Sequence, residues 1–288
     1  MDSPQLTQVS YIKDLCTRYG FSFSKSLGQN FIINPGVCPK IVQASGLNKQ
    51  WGALEIGPGF GVLTRELCAA AGKVAAVEVD GRLPPLLKET LEGYDNVEII
   101  LADALKTDLS ALVKTQFQGM PVAVCANLPY YITTPLIMHL LESRLEVQSI
   151  VLMVQKEVAT RLTAPQGSRL SGAITLAVNY YAVAEKVFDV QPGSFYPAPK
   201  VVSSVVRLSP YATPPVHPQS EKAMFATIKA AFGQRRKTAA NAISAGLGLP
   251  KAQVLAAMEG LGLQASLRAE QLHLQTYADL SDVLHPGT

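Results

Sequence analysis

The residues of this chain best equipped for chemistry stand at the ends of short apolar runs. Glu55-Ile56-Gly57-Pro58-Gly59-Phe60-Gly61 follows Ala53-Leu54 and precedes an expected helix over 62–71. Three glycines in a strand-to-helix turn let a backbone approach a ligand, because no Cβ intervenes and positive φ is open. An ordinary tight turn would use the same residues. Two neighbours narrow the ligand: Glu55 is a carboxylate, and Pro58 has no N–H, whereas a pyrophosphate needs bare N–H groups. Glu78 stands near the far end of the run over 74–80, where an acid accepts the two hydroxyls of a ribose. Asp103 follows the run over 97–101. A glycine turn, a Glu and an Asp at one sheet edge make an acidic rim. A nucleoside without phosphates but with positive charge suits it, and S-adenosylmethionine, with its sulfonium and ammonium, is the natural candidate.

The second landmark is Asn127-Leu128-Pro129-Tyr130, directly after the apolar run over 122–126. Asn127 is expected at the carboxyl end of a central strand, where open α/β sheets bind ligands. An exocyclic adenine amine is a poor nucleophile, since its lone pair is delocalised, but a sulfonium methyl is a strong electrophile, so orientation is the main task. The amide oxygen of Asn127 and the carbonyl of Leu128 can accept the amine's hydrogens and disperse developing positive charge. Tyr130 can stack on an extruded base. The same four residues also fit an Asn-initiated turn with a core tyrosine. Phe195, in the proline-rich loop over 191–200, reads as a rigid second stacking wall or merely as a plug. Gln29 and Asn30, just before Phe31-Ile32, offer amide groups for an amino-acid moiety, or serve as a structural cap.

The elements required to position these groups can be read from the pattern. Strands and helices alternate over 51–112, as a parallel α/β sheet demands. Further strands are expected over 122–126, 150–154, 184–190 and 201–208, and the segment 173–181 fits either strand or helix. Residues 1–23 form a partly helical lead-in, with Tyr11, Leu15 and Tyr19 on one face. Residues 211–218 have the composition of a linker, and beyond them only helices are expected. The domains therefore read as 1–210, a linker over 211–218, and 219–288.

In the last segment Lys222, Lys229 and Arg236 recur every seven residues, on what reads as one helix also carrying the apolar Phe225, Ile228 and Phe232. With Arg235 and Lys237 they form the strongest basic cluster of the chain, either a solvated face or a contact to a phosphate backbone. The 288 residues are 48% hydrophobic, with a net charge of +3. That composition supports a large core. No apolar run reaches the roughly 20 residues that span a bilayer and no leader pattern opens the chain, so a cytoplasmic protein with no membrane association is expected. Cys16, Cys38, Cys68 and Cys125 lack ligand or disulfide spacing, so no metal is expected.

Taken together, these residues resemble the ribosomal RNA adenine N6,N6-dimethyltransferase family, most closely its bacterial 16S rRNA branch. The motifs concerned are Lys25-Ser26-Leu27-Gly28-Gln29-Asn30-Phe31, Glu55-Ile56-Gly57-Pro58-Gly59, Glu78, Asp103, Asn127-Leu128-Pro129-Tyr130, the stretch 195–201 and the stretch 231–237. The resemblance implies a class I, Rossmann-like methyltransferase with a mostly parallel sheet and a small all-helical C-terminal domain. It implies cofactor contacts from Asn30, Ile32, Gly57, Glu78, Asp103 and Asn127, alongside Gln29 and Gly59 of the same motifs, and a base held between Tyr130 and Phe195. The implied substrate is a pair of adjacent adenines in the 3′-terminal hairpin loop of 16S rRNA, in an immature small subunit, with a monomeric enzyme. Ile32 stands where leucine is usual, Gly81 where a larger residue is common, and Ala269 where proline is common; none removes a catalytic group. Competing readings are a 23S rRNA adenine methyltransferase of the macrolide-resistance type, a non-catalytic ribosome assembly factor and a dinucleotide-dependent dehydrogenase.

Overall fold

The computed structural model describes residues 6–24, 28–234 and 236–287. In chain order the elements are α1 (Val9–Arg18), β1 (Phe31–Ile32), α2 (Val37–Ser45), β2 (Gly52–Ile56), α3 (Val62–Ala70), β3 (Lys73–Glu78), α4 (Pro84–Thr90) and β4 (Val97–Leu101). There follow α5 (Leu109–Phe117), β5 (Val122–Asn127), α6 (Thr133–Glu142), β6 (Ser149–Gln155), α7 (Lys156–Leu162), α8 (Ala173–Tyr181) and β7 (Ala182–Val190). The remainder are β8 (Phe195–Tyr196), β9 (Ser203–Pro210), α9 (Glu221–Phe232), α10 (Ala239–Leu247), α11 (Lys251–Gly260) and α12 (Leu274–Leu284).

Among the described residues one sheet has seven strands in the order β4-β3-β2-β5-β6-β9-β7. Strands β4, β3, β2, β5 and β6 run parallel, while β9 is antiparallel to β6. Strands β2, β3, β5 and β6 are almost wholly buried, which is why they read as continuous apolar runs rather than alternating ones. The strand order reverses between β2 and β5, so the carboxyl ends of these two neighbours open a crevice at the switch point.

The chain divides into two compact units. The first holds residues 1–159 and 185–210, the second 160–184 and 211–288. The segment 160–184 thus leaves the domain assigned to it from sequence and joins the C-terminal helices. Its chemistry explains the choice. In the second unit Tyr181 of α8 stacks on Phe225 of α9 with centroids 5.7 Å apart and planes 8° from parallel, and Tyr180 meets the same ring edge-on at 5.3 Å. Both tyrosine hydroxyls donate to Glu221, Tyr180 at 3.2 Å. The carbonyl oxygen of the Gln166 side chain accepts the first amide of α12, Leu274 N–H, at 2.8 Å.

The lead-in helix has a packing role in the first unit. Ile12 and Leu15 are fully buried, in a cluster that also contains Phe21, Phe31, Phe60 and Leu87. Arg18 forks onto Glu89 of α4 through two bonds of 2.7 Å, and the Tyr19 hydroxyl donates to the same carboxylate at 2.6 Å. No helix among the described residues is long and apolar enough to cross a membrane.

Candidate active site

The glycine turn takes the backbone the sequence demands. Gly57, Gly59 and Gly61 have φ of +75°, +58° and +84°, values that cost a residue with a Cβ. Gly57 N–H donates to Val77 O at 2.9 Å, tying the turn to β3. At Gly59 there is also no space, since a Cβ would lie 2.8 Å from Phe31 Cε1. The Phe31 ring is held there by stacking on Phe60, centroids 4.0 Å apart. Replacing Gly59 by Ala is therefore expected to cost about 1–3 kcal/mol of stability, read from the midpoint of denaturant unfolding. An unchanged midpoint would mean that the turn re-forms without its contact to Phe31.

Behind the turn lies a cavity of about 270 Å³ lined by residues of the first unit. Gln29, Asn30, Ile32, Gly57, Gly59, Glu78, Asp103, Asn127, Leu128 and Tyr130 all line it, so ten of the expected site residues converge. Its acidic lining residues are Glu55, Glu78 and Asp103, and no Lys, Arg or His lines it among the described residues. A phosphate would find the acidic Glu78 and Asp103 there and, among the described lining residues, no cation; a cationic nucleoside would find complementary charge.

Two of these acidic groups are held by backbone N–H bonds. Glu78 is 5% exposed; its Oε1 accepts Asp80 N–H at 2.8 Å and its Oε2 accepts Gly59 N–H at 3.4 Å. Burial pushes its carboxyl up, and these backbone bonds oppose the shift. Asp103 accepts Leu105 N–H at 3.0 Å and faces Lys106 at 3.5 Å. Glu55 is 1% exposed, and its Oε2 has no hydrogen-bond partner among the described residues. Burial, with nearby Glu78 adding to it, pushes its carboxyl up to about 8, while the adjacent Thr64 hydroxyl pulls the other way. That hydroxyl makes no well-aligned bond, so burial dominates. Glu55 thus lines the cavity beside the expected site residues, although its sequence position suggested no contact role for it.

The amide groups are pinned to the polypeptide. Gln29 accepts Ser24 N–H at 2.9 Å and donates to Asp80 at 2.9 Å, and Asn30 donates to Gly28 O at 3.0 Å. Asn127 Nδ2 donates to Asn30 O at 3.1 Å. Only the NH₂ end of the amide can bond to a carbonyl, so this contact orients the group and leaves Oδ1 as its acceptor for a ligand. Leu128 N–H donates to Met153 O at 3.1 Å, anchoring the turn to β6. The Tyr130 hydroxyl bonds Ser203 Oγ at 2.7 Å. Burial pushes its phenol up, which suits a ring used for its face rather than for its proton.

Two expectations are corrected. Phe195 is 2% exposed, sits in a core cluster with Ile32, Cys38 and Val205, and does not line the cavity. Its strand β8 pairs with β1, Ile32 opposite Phe195, and the ring packs in that core as a plug rather than being presented at the cavity. In the C-terminal segment α9 ends at Phe232, so Arg236 does not continue the face of Lys222 and Lys229 but follows in a turn. Lys222, Lys229, Arg236 and Lys237 are all exposed. Arg235 lies outside the described residues, as do Lys25, Ser26 and Leu27.

This fold and this cavity define a class I, Rossmann-like methyltransferase. The ribosomal RNA adenine dimethylase family matches residues 20–285, and the chain belongs to that family. It is 46% identical to a ribosomal RNA small subunit methyltransferase A of Geobacillus thermodenitrificans, covering 95% of each chain. With the protein of the same name from Enterococcus faecalis it shares 42%, over 98% of this chain and 97% of the other. Among solved structures it resembles a dimethyladenosine transferase from Plasmodium falciparum, with a TM-score of 0.73 and 29% identity over 87% of this chain and 95% of that one. It also resembles the 23S rRNA methyltransferase ErmE, with a TM-score of 0.66 and 25% identity over 88% and 99%.

Proposed function

We propose that this protein transfers methyl groups from S-adenosylmethionine to the N6 amines of two adjacent adenines in the 3′-terminal hairpin loop of 16S rRNA, within an immature small subunit, giving N6,N6-dimethyladenosine. The observation that carries the reading is an acid-lined cavity, without a basic residue among the described ones that line it, and with an oriented Asn127 amide in its wall. The names of relatives more than 40% identical over nearly the whole chain support the small-subunit substrate over the 23S alternative.

Glu78 would accept the ribose hydroxyls, Asp103 the adenine amine of the donor, and Gln29, Asn30, Ile32, Gly57 and Gly59 its amino-acid part and backbone-facing edge. When bound, the donor supplies an electrophilic methyl group on a positively charged sulfur. The chain's own work falls to Asn127 and Leu128. Their oxygens accept the target amine's N–H groups, hold its lone pair toward the methyl, and stabilise the positive charge that grows on nitrogen as the N–C bond forms. The resulting ammonium loses its proton to water, so no strong base is required. Tyr130 stacks on the extruded base.

The direct test is mass-spectrometric mapping of rRNA after incubating the protein and S-adenosylmethionine with unmethylated immature small subunits, and separately with free 23S rRNA. Dimethyladenosine at two adjacent 16S positions is expected. Product on 23S alone would select the alternative substrate, and no product on either would select a non-catalytic role.

For the second unit, the exposed Lys222, Lys229, Arg236 and Lys237 are the proposed phosphate contacts. Reversing Arg236 and Lys237 to Glu is expected to weaken RNA binding and to flatten its salt dependence by about 0.7–0.9 in log–log slope per lost contact. Unchanged binding in a salt titration would move the RNA surface elsewhere.

A further inference from the structure

Among the described residues four aromatic ones line the cavity; Phe31 and Phe60 are buried, so the aromatic surface open to solvent there belongs to Tyr130 and its neighbour. Tyr131 lines the same cavity and is nonetheless 54% exposed, the highest value among the exposed aromatic residues. Its ring is seated rather than free. A Cβ on Gly28 would lie 3.3 Å from Tyr131 Cδ1 and 3.7 Å from Cε1, so the bare Gly28 backbone, at φ +57°, lets the ring lie close against the loop. Tyr130, immediately before it, is anchored through its hydroxyl to Ser203.

We infer that Tyr131 is a stacking platform for the base next to the one being methylated. This rests on the function proposed above. Extruding a base strips a stacking partner from its neighbour, at a cost that something must offset. A fixed, solvent-facing aromatic ring beside the point of entry is the group able to do so, because every base has a π-face. With two adjacent adenines as targets, one occupies the Asn127 site while the other lies on Tyr131. The residue therefore selects for a target with a stackable neighbour, and acts on RNA binding rather than on the methyl-transfer step.

The experiment compares wild type with Tyr131→Ala, Tyr131→Leu, Tyr131→Phe and Tyr131→Trp, using immature small subunits for kinetics and a short RNA hairpin carrying 2-aminopurine beside the target adenine for binding. Tyr131→Ala and Tyr131→Leu are expected to raise the KM for RNA about 5- to 100-fold with kcat held within about twofold, and to change the 2-aminopurine emission of the complex. Tyr131→Phe and Tyr131→Trp should restore both readouts. Rescue by Leu equal to that by Phe would reduce the ring to apolar packing, and a loss confined to kcat or to S-adenosylmethionine affinity would assign it to the donor site; either overturns the inference. Unchanged KM and emission in Tyr131→Ala would do the same while wild-type methylation leaves the parent reading intact. If wild type itself methylates no RNA, the parent reading falls and this inference with it.

Discussion

Replacing Asn127 by Ala is expected to slow methyl transfer by about 100- to 1,000-fold, roughly 3–4 kcal/mol at the barrier, with RNA affinity within about twofold of wild type. The amide is held by one bond, Nδ2 to Asn30 O at 3.1 Å, which aims the remaining acceptor at the ligand. Its removal takes away an interaction that strengthens only as charge grows on the target nitrogen, so kcat should fall rather than KM rise. Single-turnover kinetics with saturating donor, beside equilibrium RNA binding, separate the two. A variant near the wild-type rate would leave orientation to Leu128 and Tyr130 alone and remove Asn127 from the chemistry. Asn127→Asp sharpens the test. A carboxylate keeps an acceptor for the amine but cannot donate to Asn30 O, so it would both lose its anchor and set a charge against a carbonyl.

The second large effect concerns pH. Glu55 is fully enclosed, and burial pushes its carboxyl up to about 8, against roughly 4.3 for an unfolded Glu. The folded state thus binds this proton more tightly than the unfolded state does. Its stabilising contribution is complete below about pH 4 and is lost as pH rises toward 8, with a slope of up to about 1.4 kcal/mol per pH unit. Glu78, also pushed up, acts in the same direction. Glu89 and Asp189 are held down to about 2 by Arg18 and Lys156 respectively; their contributions are lost only as pH falls through the acid range, so the windows do not overlap. Glu55→Gln, which keeps the shape without the titration, is expected to unfold later than wild type at pH 8 by a few kcal/mol and to differ much less at pH 5. Parallel stability curves for the two proteins across pH 5–8 would show that Glu55 ionises at no cost in the folded state.

Much of this site was legible because its signals are local. The turn over 57–61 needs positive φ at three positions, and only glycine supplies that freely. Strands buried on both faces leave continuous apolar runs, and Glu78, Asp103 and Asn127 stand at their ends, where a parallel sheet gathers them. What could not be read depends on partners distant in the chain. Phe195 looked like a presented aromatic among prolines; its burial follows from pairing with Ile32, more than 160 residues earlier. The segment 173–181, rich in β-branched and aromatic residues, is ambiguous locally and becomes helix α8 by packing Tyr180 and Tyr181 on Phe225. The same contact carries 160–184 into the second unit, which no composition shift announces. Arg236 leaves the seven-residue repeat because α9 stops at Phe232, where the weak helix former Gly233 caps it.

Strand order also sets a schedule for the protein's own synthesis. Strand β9 lies between β6 and β7 and supplies the hydrogen bonds of β6 along its outer side. From the moment β6 leaves the ribosome until residues 203–210 follow, roughly fifty residues later, the nascent sheet carries a buried-type apolar strand with an open flank. At ordinary elongation rates that interval is about 3–10 s. An unpaired apolar edge is a template for wrong partners, so β6 is open to them for that interval on every chain. Slow codons between 155 and 203 would lengthen the exposure, and a chain truncated just before β9 would reach the cell with that edge of β6 uncovered.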